Sequence, residues 1–340
     1  MARAYMTETG DGSAEGERTG SRFRRLTDRW RNDRGIWRRG LVLAGFAVLI
    51  ALVMVLHARI PNSIGNLGSL SETFLPWLGV FLPVLLGLAL WRRSATALIA
   101  LLLPVIMWFN MFGGLLTDKQ GSGGDLVVAT HNVNADNKDP AGTARQVAAS
   151  GAQVLALEEI PGDQVTTYKK ALADRYPYHS VQGTVGLWST YPLSDSRPVD
   201  IKMGWTRAMR STVRTPSGDV AVYVAHMPSV RVKLNAGFTA NQRDNSAYTL
   251  GEAISAEPLG KVVLLGDLNG TMNDRSLNNI TAQMRSTQGA AGSGFGFTWP
   301  AGFPMARIDQ IMVKGLQPTS SWTLARTGSD HLPIAARLKV

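Results

Sequence analysis

Three long apolar runs dominate the first third of the chain. Gly40–Leu56 contains 17 residues without a charge, Thr73–Trp91 contains 19 and Ser94–Thr117 contains 24. A helix that spans a membrane needs about 20 mostly apolar residues. The runs therefore predict three transmembrane helices, at about residues 40–57, 73–91 and 94–117, within a membrane region that covers residues 40–117.

A signal peptide and buried soluble helices are weaker interpretations of these runs. The first run could belong to a cleaved signal peptide, but no small-residue cleavage site follows it and two further runs do. Buried helices of a soluble protein are the second alternative, and three long uncharged runs in succession are unusual for such helices.

From residue 126 onward, short apolar runs typical of strands alternate with segments typical of helices. About 215 residues of this pattern indicate one α/β domain, at residues 126–340. The segment 118–125, DKQGSGGD, is predicted to be a flexible linker ahead of it. The predicted strands are Leu126–Thr130, Val154–Leu157, Val185–Ser189, Ser211–Arg214, Val220–Ala225, Lys261–Leu265, Arg307–Val313 and Ile334–Leu338, and the predicted helices are Ala141–Ser150, Gln164–Tyr176 and Arg243–Ala256.

The charge distribution predicts the orientation in the membrane. Arg18–Arg39 contains nine Arg and two Asp, and residues 1–39 are predicted to be a basic, largely disordered cytoplasmic tail. Arg92 and Arg93, between the second and third runs, should also lie inside. The α/β domain is then expected on the outer side of a cell membrane.

The amino-acid composition excludes cysteine-based chemistry and bears on whether the protein binds nucleic acid. The 340 residues include no Cys, which excludes a disulfide scaffold, thiolate zinc sites, Fe–S clusters and a Cys nucleophile. The formal net charge of +10 suggests a nucleic-acid partner, but much of it lies in the N-terminal tail. Residues 120–340 hold 21 Lys or Arg and 17 Asp or Glu, so the domain itself is only mildly basic.

Polar side chains collect where the predicted strands end, which is where ligands bind in α/β sheets. Carboxylates and amides at such positions suit a hard cation such as Mg²⁺, and histidines without cysteines suit acid–base chemistry. Each motif alone could have a purely structural role, such as a turn or a buried polar residue. The motifs are THNVN (Thr130–Asn134), LEE (Leu157–Glu159), AHM (Ala225–Met227), GDLN (Gly266–Asn269), RIDQI (Arg307–Ile311) and SDH (Ser329–His331).

In this order the six motifs resemble the endonuclease/exonuclease/phosphatase superfamily. The resemblance covers about Leu126 to Val340, and GDLN followed by RID and SDH is its most specific part. It implies a four-layer α/β sandwich with two mixed sheets. Three apolar spans ahead of such a domain also resemble the VanJ-type teicoplanin-resistance proteins, which implies a role in the cell envelope and in antibiotic resistance.

The resemblance also implies roles for individual residues. Glu159 matches the metal-binding Glu of the family, and Asp330 matches a second acid on the metal side. Asn132 matches an Asn that supports both the metal and the phosphate. Mg²⁺ is the implied ion, with Mn²⁺ as the alternative. The implied catalytic residues are His331 as general base, Asp309 as its orienting acid, His226 as the group that stabilises phosphoryl oxygens or protonates the leaving group, and Asp267 with Asn269 as the pair that positions the attacking water and the phosphate.

Two positions depart from the family pattern. Glu158 stands where relatives have Gln, and it could add acidity near the site or face solvent. Thr190 stands where many relatives have Arg, which removes one expected phosphate contact. Three aromatic residues near the RID motif, Phe297, Trp299 and Phe303, are interpreted as packing residues rather than as a lipid groove.

These features predict a membrane-anchored, metal-dependent phosphohydrolase. The expected partners are membrane lipid and a lipid-linked phosphate such as undecaprenyl pyrophosphate, with no nucleic acid. One alternative is a membrane-tethered extracellular nuclease, which would need a continuous basic groove. Another is a non-catalytic membrane sensor on a degenerate enzyme fold, which would have lost catalytic residues, yet every matched position is filled.

Overall fold

The computed structural model describes residues 35–63, 65–230 and 240–340, together with two short strands between residues 230 and 240. The predicted basic tail therefore lies almost entirely outside the described residues. The described residues up to Val53, with Leu78–Met107, form one compact unit, and Met54–Trp77 with Trp108–Val340 form a second.

Two N-terminal helices are long and apolar enough to cross a membrane. Helix α1 (Leu41–Leu56) continues into a 3₁₀ turn at His57–Arg59, and helix α4 (Ala95–Leu116) contains 22 residues. They coincide with the first and third predicted spans. Most exposed large apolar side chains of the described chain lie between Ile36 and Leu116. Such a surface is unfavourable in water and suits a bilayer, so these helices are candidate membrane anchors.

The second apolar run begins at a bend between two helical segments. Helix α2 (Leu67–Thr73) is followed by a 3₁₀ segment at Leu75–Val80 and by helix α3 (Phe81–Trp91), with a bend of 65° after α2. The described chain therefore has two clear candidate spans, or three if this bent pair counts as one. The predicted helix 73–91 corresponds to the continuous helical segment Leu75–Trp91, whereas α2 and the bend between it and this segment were not predicted.

The segment before this bend packs against the α/β domain. Glu72 is completely buried and accepts hydrogen bonds from the backbone N–H and Nε of Arg275, at 3.3 and 2.8 Å. The indole of Trp77 donates to the carbonyl of Met305 at 2.8 Å, and its ring stacks on Phe297 with centroids 5.9 Å apart. Residues between the first two predicted membrane helices, and at the start of the second, thus contribute to the domain.

The domain begins with β1 (Leu126–Asn132) and ends with β14 (Ile334–Lys339). Its other strands are β2 (Val154–Glu158), β3 (Tyr178–Gln182), β4 (Val185–Ser189), β5 (Leu193–Pro198), β6 (Ala208–Thr215), β7 (Gly218–His226), β8 (Val232–Lys233), β9 (Gly237–Phe238), β10 (Val262–Asp267), β11 (Arg285–Ser286), β12 (Asp309–Lys314) and β13 (Gln317–Thr323). Its helices are α5 (Pro140–Ala148), α6 (Val165–Leu172), α7 (Asn241–Ser255), α8 (Asn278–Thr281) and α9 (Thr287–Ala291), with a 3₁₀ turn at Arg275–Leu277.

Two mixed six-stranded sheets form the centre of the domain. The first has the order β13-β14-β1-β2-β4-β3, and the second has the order β11-β12-β10-β7-β6-β5. In each sheet one central pair is parallel, β1 with β2 and β7 with β10, and its flanking neighbours are antiparallel. A small sheet of β8 and β9 lies apart.

Side-chain alternation along the strands builds four layers. In β7, Val222 and Val224 enter the core between the sheets, whereas Ala221, Tyr223 and Ala225 face the layer that contains α7. This alternation has the period of two that β-strands impose. A third cluster packs α5 and α6 on the outer face of the first sheet. The predicted four-layer sandwich of two mixed sheets is confirmed.

The predicted elements were located correctly, with differences at their ends. Strand β1 continues through Asn132 instead of stopping at Thr130. The strands β3, β5, β8, β9, β11 and β13 were not predicted. The segment 118–125 forms neither helix nor strand, but the N–H of Gly121 donates to Thr319 and that of Asp125 to Leu338. The expected flexible linker follows the sheet edge because edge strands present unpaired backbone groups.

Candidate active site

The register of the second sheet places three of the predicted residues side by side. Asp267, at the end of β10, pairs with His226 at the end of β7 and with Asp309 at the start of β12. Gly266, just before it, has a φ of 138° and lies so close to the backbone of Ala225 that a Cβ would clash. The glycine of GDLN thus lets β10 approach β7 closely at this point.

Two amides from different parts of the chain hold Asp267. Asn132 Nδ2, at the end of β1, donates to Asp267 Oδ2 at 3.0 Å and so connects the two sheets. The backbone N–H of Asn269 donates to Asp267 Oδ1 at 2.9 Å. Its side-chain Nδ2 donates to the carbonyl of Met227 at 3.0 Å and to Asp267 Oδ2 at 3.2 Å. Asn132 and Asn269 therefore both hold the carboxylate of Asp267 in place.

Asp309 and His331 form a buried hydrogen-bonded pair. His331 Nδ1 lies 2.9 and 3.1 Å from the two carboxylate oxygens of Asp309. Ser329 fixes the loop that carries the imidazole, because its hydroxyl donates to the carbonyl of Asn132 at 2.7 Å and accepts from the N–H of His331 at 3.1 Å. The remaining ring nitrogen, Nε2, lies 3.9 Å from Asp267 Oδ2.

Electrostatics favour charge on this imidazole. Burial lowers the pKa of His331, but the nearby carboxylates of Asp309 and Asp267 outweigh it and raise the pKa to about 10. Burial, with a further contribution from the charge of Asp309, raises the pKa of Asp267 above its ordinary range. In the protein alone, these carboxylates therefore favour the imidazolium form of His331.

Arg207 supplies a guanidinium to the same site. Its Nε donates to the carbonyl of His226 at 3.0 Å, and its Nη2 donates to His226 Nε2. A guanidinium can only donate, so Nε2 accepts and the proton of this histidine lies on Nδ1. Burial and the charge of Arg207 lower the pKa of His226 well below its ordinary value, so this imidazole is neutral.

Two further carboxylates complete the polar wall. Glu159 directly follows β2 and has a φ of 63°, a left-handed conformation that is unfavourable for this residue type. Burial raises its pKa although Asn132 hydrogen-bonds to it. Asp330 is exposed and accepts from Asn134 Nδ2 at 2.9 Å.

These residues surround a cavity of about 550 Å³, the catalytic cavity. Its polar wall includes all the predicted site residues except Asp309, which lies behind His331. Two of its other residues, Thr73 and Phe74, come from the bend in the second apolar run. The described lining residues are Thr73, Phe74, Asn132, Glu159, Arg207, His226, Ser229, Val230, Asp267, Asn269, Trp299, Ala306, Ile308, Asp330 and His331.

Sequence comparison agrees with this geometry. The model of the endonuclease/exonuclease/phosphatase family matches residues 129–331, more than half of the chain. The chain belongs to this family. It is accordingly a phosphoester hydrolase by family, on an α/β domain that follows two or three apolar helices.

Solved structures with this fold are distant in sequence. An endonuclease/exonuclease/phosphatase from Beutenbergia cavernae is 20% identical, with a TM-score of 0.52, over 64% of this chain and 72% of its own. A functionally unknown conserved protein from Enterococcus faecalis is 15% identical, with a TM-score of 0.54, over 63% and 99%. TDP2 from D. rerio, complexed with a single-strand DNA product, is 18% identical, with a TM-score of 0.53, over 63% and 99%. Among the curated proteins, none matches the sequence.

A family member of this kind is expected to use a divalent metal, and two groups of residues suit one. Ligand-type atoms of Asp267, Asp309 and His331 lie within 4.8 Å of one another, which makes this trio a candidate metal-binding group. The predicted ligands Glu159 and Asp330 line the cavity with Asn132. Nearly all these donors are oxygens, which fits a hard cation.

The structure also corrects and extends the sequence-based interpretation. Glu158 does not face solvent, because it is fully buried and accepts from the hydroxyl of Thr130 at 2.6 Å. Trp299 lines the catalytic cavity rather than serving only as packing. Arg207 and Phe74 were not predicted as site residues. No motif surrounds Arg207, and Phe74 lies in an apolar run that predicted only a membrane helix.

Proposed function

We propose that this family member is a membrane-anchored, divalent-metal-dependent phosphohydrolase whose substrate is a lipid-linked phosphate or pyrophosphate. Undecaprenyl pyrophosphate at the outer face of a cell membrane is the substrate we favour. This orientation follows from the Lys/Arg distribution, and the substrate class agrees with the resemblance to VanJ-type proteins.

The contribution of the second apolar run to the catalytic cavity carries the proposal. Thr73 and Phe74 line the cavity together with His226 and His331, and the apolar segment Leu75–Trp91 begins at the very next residue. A soluble substrate would not require a wall made from a membrane segment. For a lipid-linked phosphate, the same wall leads from the hydrocarbon region to the reacting group.

The polar wall of the cavity suits phosphoryl transfer to water. The 3.9 Å between His331 Nε2 and Asp267 Oδ2 is too long for a direct hydrogen bond, but a water placed beside the two atoms could hydrogen-bond to both. Asp267 would accept from that water, and neutral His331 would take its proton as general base. Asp309 keeps Nε2 directed at the water by holding Nδ1.

The second part of the site would bind the phosphoryl oxygens. His226 is neutral and its Nδ1–H has no partner among the described residues, so it can donate to an oxygen that gains negative charge. Of the two roles implied for this histidine, stabilisation of the oxygens is therefore favoured over protonation of the leaving group. Arg207 adds positive charge beside it.

Mg²⁺ would be held by Glu159, together with Asp330 and the side-chain oxygen of Asn132, which line the same cavity. When bound, the cation would polarise the phosphoryl group and, by its own positive charge, favour the neutral form of nearby His331. The positioning of the water, the proton acceptance and the binding of the oxygens belong to the protein.

Phosphate release by the purified full-length protein tests the proposal. Undecaprenyl pyrophosphate and a short DNA duplex are compared in detergent with Mg²⁺, and His331→Ala is the blank. We expect release from the lipid and none from the blank. Hydrolysis of DNA with no release from the lipid would refute the proposed substrate class.

A second measurement tests the metal assignment. Glu159→Gln should raise the Mg²⁺ concentration for half-maximal activity or abolish activity, because it removes a charged oxygen ligand. Glu252→Gln makes the same change at an exposed position on α7 and is the matched control. An unchanged Mg²⁺ dependence of Glu159→Gln would contradict this ligand.

A membrane-tethered nuclease is the second candidate. One structure with this fold holds a single-strand DNA product, and Arg207 places a cation in the cavity. The mild positive charge of the domain gives this candidate less support than the membrane-derived wall gives the lipid. Activity on DNA should fall steeply with added salt, which the comparison above can include.

A further inference from the structure

A second cavity of about 520 Å³ lies in the same compact unit as the catalytic cavity and shares Thr73 with it. One wall comes from the last turns of α4, including Met111 and Phe112, where the apolar helix ends. The opposite wall comes from β12 and from the segments on either side of α9. We call this space the α4 cavity.

Alternation along strand β12 directs neighbouring side chains to different sites. Asp309 faces the catalytic histidine, whereas Gln310 and Met312 point to the opposite face and line the α4 cavity. Arg307, two residues before Asp309, lines the α4 cavity as well. The RIDQI motif therefore directs its acid to the catalytic site and its arginine elsewhere.

Arg307 is the most unusual residue of the α4 cavity. It is only 6% exposed, and its Nη1 donates to the carbonyl of Gly296 at 2.7 Å. Its Nε and Nη2 are buried without a hydrogen-bond partner, and no carboxylate of the described chain lies within salt-bridge distance of it. A buried guanidinium with unpaired donors is costly, and an anionic ligand would satisfy it.

The charge of the other lining residues points in the same direction. Lys119 and Arg285 also line the cavity, and none of its described lining residues is Asp or Glu. The two cations are close enough that Arg285, in addition to burial, lowers the pKa of Lys119. Three cations gathered without a carboxylate form a site for negative charge.

The rest of the lining is strongly apolar. It includes the rings of Phe112, Phe295 and Phe297, and the ring pairs 112–295 and 295–297 have centroids 6.2 and 5.0 Å apart. Met111, Met272, Met284 and Met312 add flexible apolar surface. A small hydrophilic anion would leave this surface in contact with water, whereas the chain of a lipid would cover it.

We infer that the α4 cavity binds a phosphate-bearing membrane lipid, with the phosphate on Arg307 and the first part of the chain against the phenylalanine and methionine side chains. Buried acceptors without partners, the side-chain oxygens of Gln288 and Gln310, would accept from a headgroup hydroxyl. The lipid would enter where α4 ends. The inference rests on the proposed membrane anchoring, but it does not require that the bound lipid is the substrate.

Photochemical cross-linking of the full-length protein tests this site. The probe is phosphatidic acid with a diazirine on its acyl chain, in a neutral detergent and in the His331→Ala background, which prevents turnover. We expect labelled peptides that contain Met111 or Met284. Labelling confined to the described residues 41–56 or 81–91 would overturn the site.

Variants test the role of the cations. Arg307→Gln should weaken binding of the probe about 10-fold or more, because charge-assisted hydrogen bonds are lost. Arg285→Gln, at an exposed position, should weaken it less and keeps the test valid if Arg307→Gln fails to fold. Arg145→Gln, exposed on α5, makes the same charge change elsewhere and should not affect binding. Equal binding by all three variants would overturn the anion site.

Competitors separate the sources of the phosphate. Unlabelled phosphatidic acid should displace the probe, whereas inorganic phosphate at the same concentration should not. Equal displacement by inorganic phosphate would overturn the assignment to a lipid. The readout is binding and not turnover. Capture of the probe, combined with no phosphate release from undecaprenyl pyrophosphate by the unmodified protein, would therefore refute the proposed substrate and leave this site standing. Hydrolysis without capture at the α4 cavity would do the reverse.

Discussion

His331 depends on Asp309 for both orientation and charge. The carboxylate holds Nδ1 at 2.9 Å, which leaves Nε2 directed at the space beside Asp267. The same carboxylate stabilises the imidazolium, so proton acceptance from a water is favoured once the neutral form is available. Loss of the hydrogen bond between Asp309 and His331 is therefore expected to slow hydrolysis.

Removal of either member should reduce turnover far more than stability. His331→Ala is expected to lower kcat by about 10²–10⁴-fold, and Asp309→Asn to lower it substantially, because proton transfer or its alignment is lost. Phosphate release measures the first effect, and circular dichroism with thermal melting measures folding. His179→Ala, on the exposed edge strand β3, is the control and should behave as the unmodified protein. Wild-type activity of His331→Ala would contradict the general base.

Arg207 gives a sharper test of phosphate binding. Its planar guanidinium contacts both the carbonyl and the ring of His226 and lies over Trp205, 5.0 Å from the ring centroid. Arg207→Lys keeps the charge but loses the paired donors. We expect Arg207→Ala to lower kcat/KM about 10–100-fold, the effect of one or two charge-assisted hydrogen bonds.

The comparison of Arg207→Lys with Arg207→Ala separates charge from geometry. A partial recovery in the lysine variant would assign part of the effect to charge alone. Arg214→Ala removes an exposed arginine from β6, the strand that begins directly after Arg207, and should leave kcat/KM unchanged. An unaffected Arg207→Ala would exclude this residue from phosphate binding.

At the scale of elements, a buried ionic group fastens α7 to the second sheet. Arg210 of β6 donates through Nε and Nη2 to the two carboxylate oxygens of Glu257, at 3.0 and 2.8 Å. The hydroxyl of Tyr223 on β7 donates to the same carboxylate at 2.8 Å. Glu257 follows the end of α7, so the group fixes this helix to the sheet that carries His226 and Asp267.

Loss of this carboxylate should destabilise the domain. Glu257→Gln leaves Arg210 buried without its main partner, which we expect to cost about 2–4 kcal/mol of unfolding free energy. Chemical denaturation at neutral pH measures the cost. Glu252→Gln, exposed on the same helix, is the matched control and should cost about 0.5 kcal/mol or less. Equal stability of the two variants would show that the group contributes little.

The same group predicts a pH dependence. Burial opposes ionisation of Glu257, but hydrogen bonds from Arg210 and Tyr223 outweigh it and lower the pKa of the carboxyl. Its stabilising contribution is therefore present above the ordinary pKa and is lost as the pH falls through the lowered one. Melting curves of the protein and Glu257→Gln should converge in acid. A constant difference at every pH would contradict this.

At the scale of the whole molecule, the apolar N-terminal region and the hydrolase domain are not separable at the linker. The segment Met54–Trp77 belongs to the compact unit of the domain, and Thr73 and Phe74 line its catalytic cavity. Trp77 covers Phe297, and Glu72 neutralises Arg275. A boundary at residues 118–125 would cut through these contacts.

A fragment that starts at Gln120 should accordingly be impaired. We expect a lower melting temperature and aggregation, because Phe295 and Phe297 lose the aromatic partners Trp77, Trp108 and Phe112. Phe297→Ser should make the fragment more soluble but should destabilise the full-length protein. Light scattering and thermal melting measure both. A fragment as stable and active as the full chain would contradict this boundary.

Local patterns in the sequence were sufficient for the fold class and most site residues. Short apolar runs predicted the strands β7 and β10. Polar residues at the ends of these strands predicted the site, because ligands bind at the strand ends of α/β sheets. GDLN, RID and SDH added the family resemblance, which the family comparison confirmed. The roles of Glu159, Asp267 and His331 remain predictions that the variants above test.

The tertiary structure decided the features that depend on contacts between distant residues. No local pattern shows that Arg207 lies beside His226, that Glu158 is buried, or that the chain bends by 65° before Leu75 and places Phe74 in the catalytic cavity. The length of an apolar run shows how much apolar surface a segment must bury. Whether that surface packs against the domain or against lipid depends on the rest of the chain. For that reason, the sequence determined which polar residues stand at the strand ends, whereas only the packed structure showed that Thr73 and Phe74, next to an apolar segment, line the same cavity.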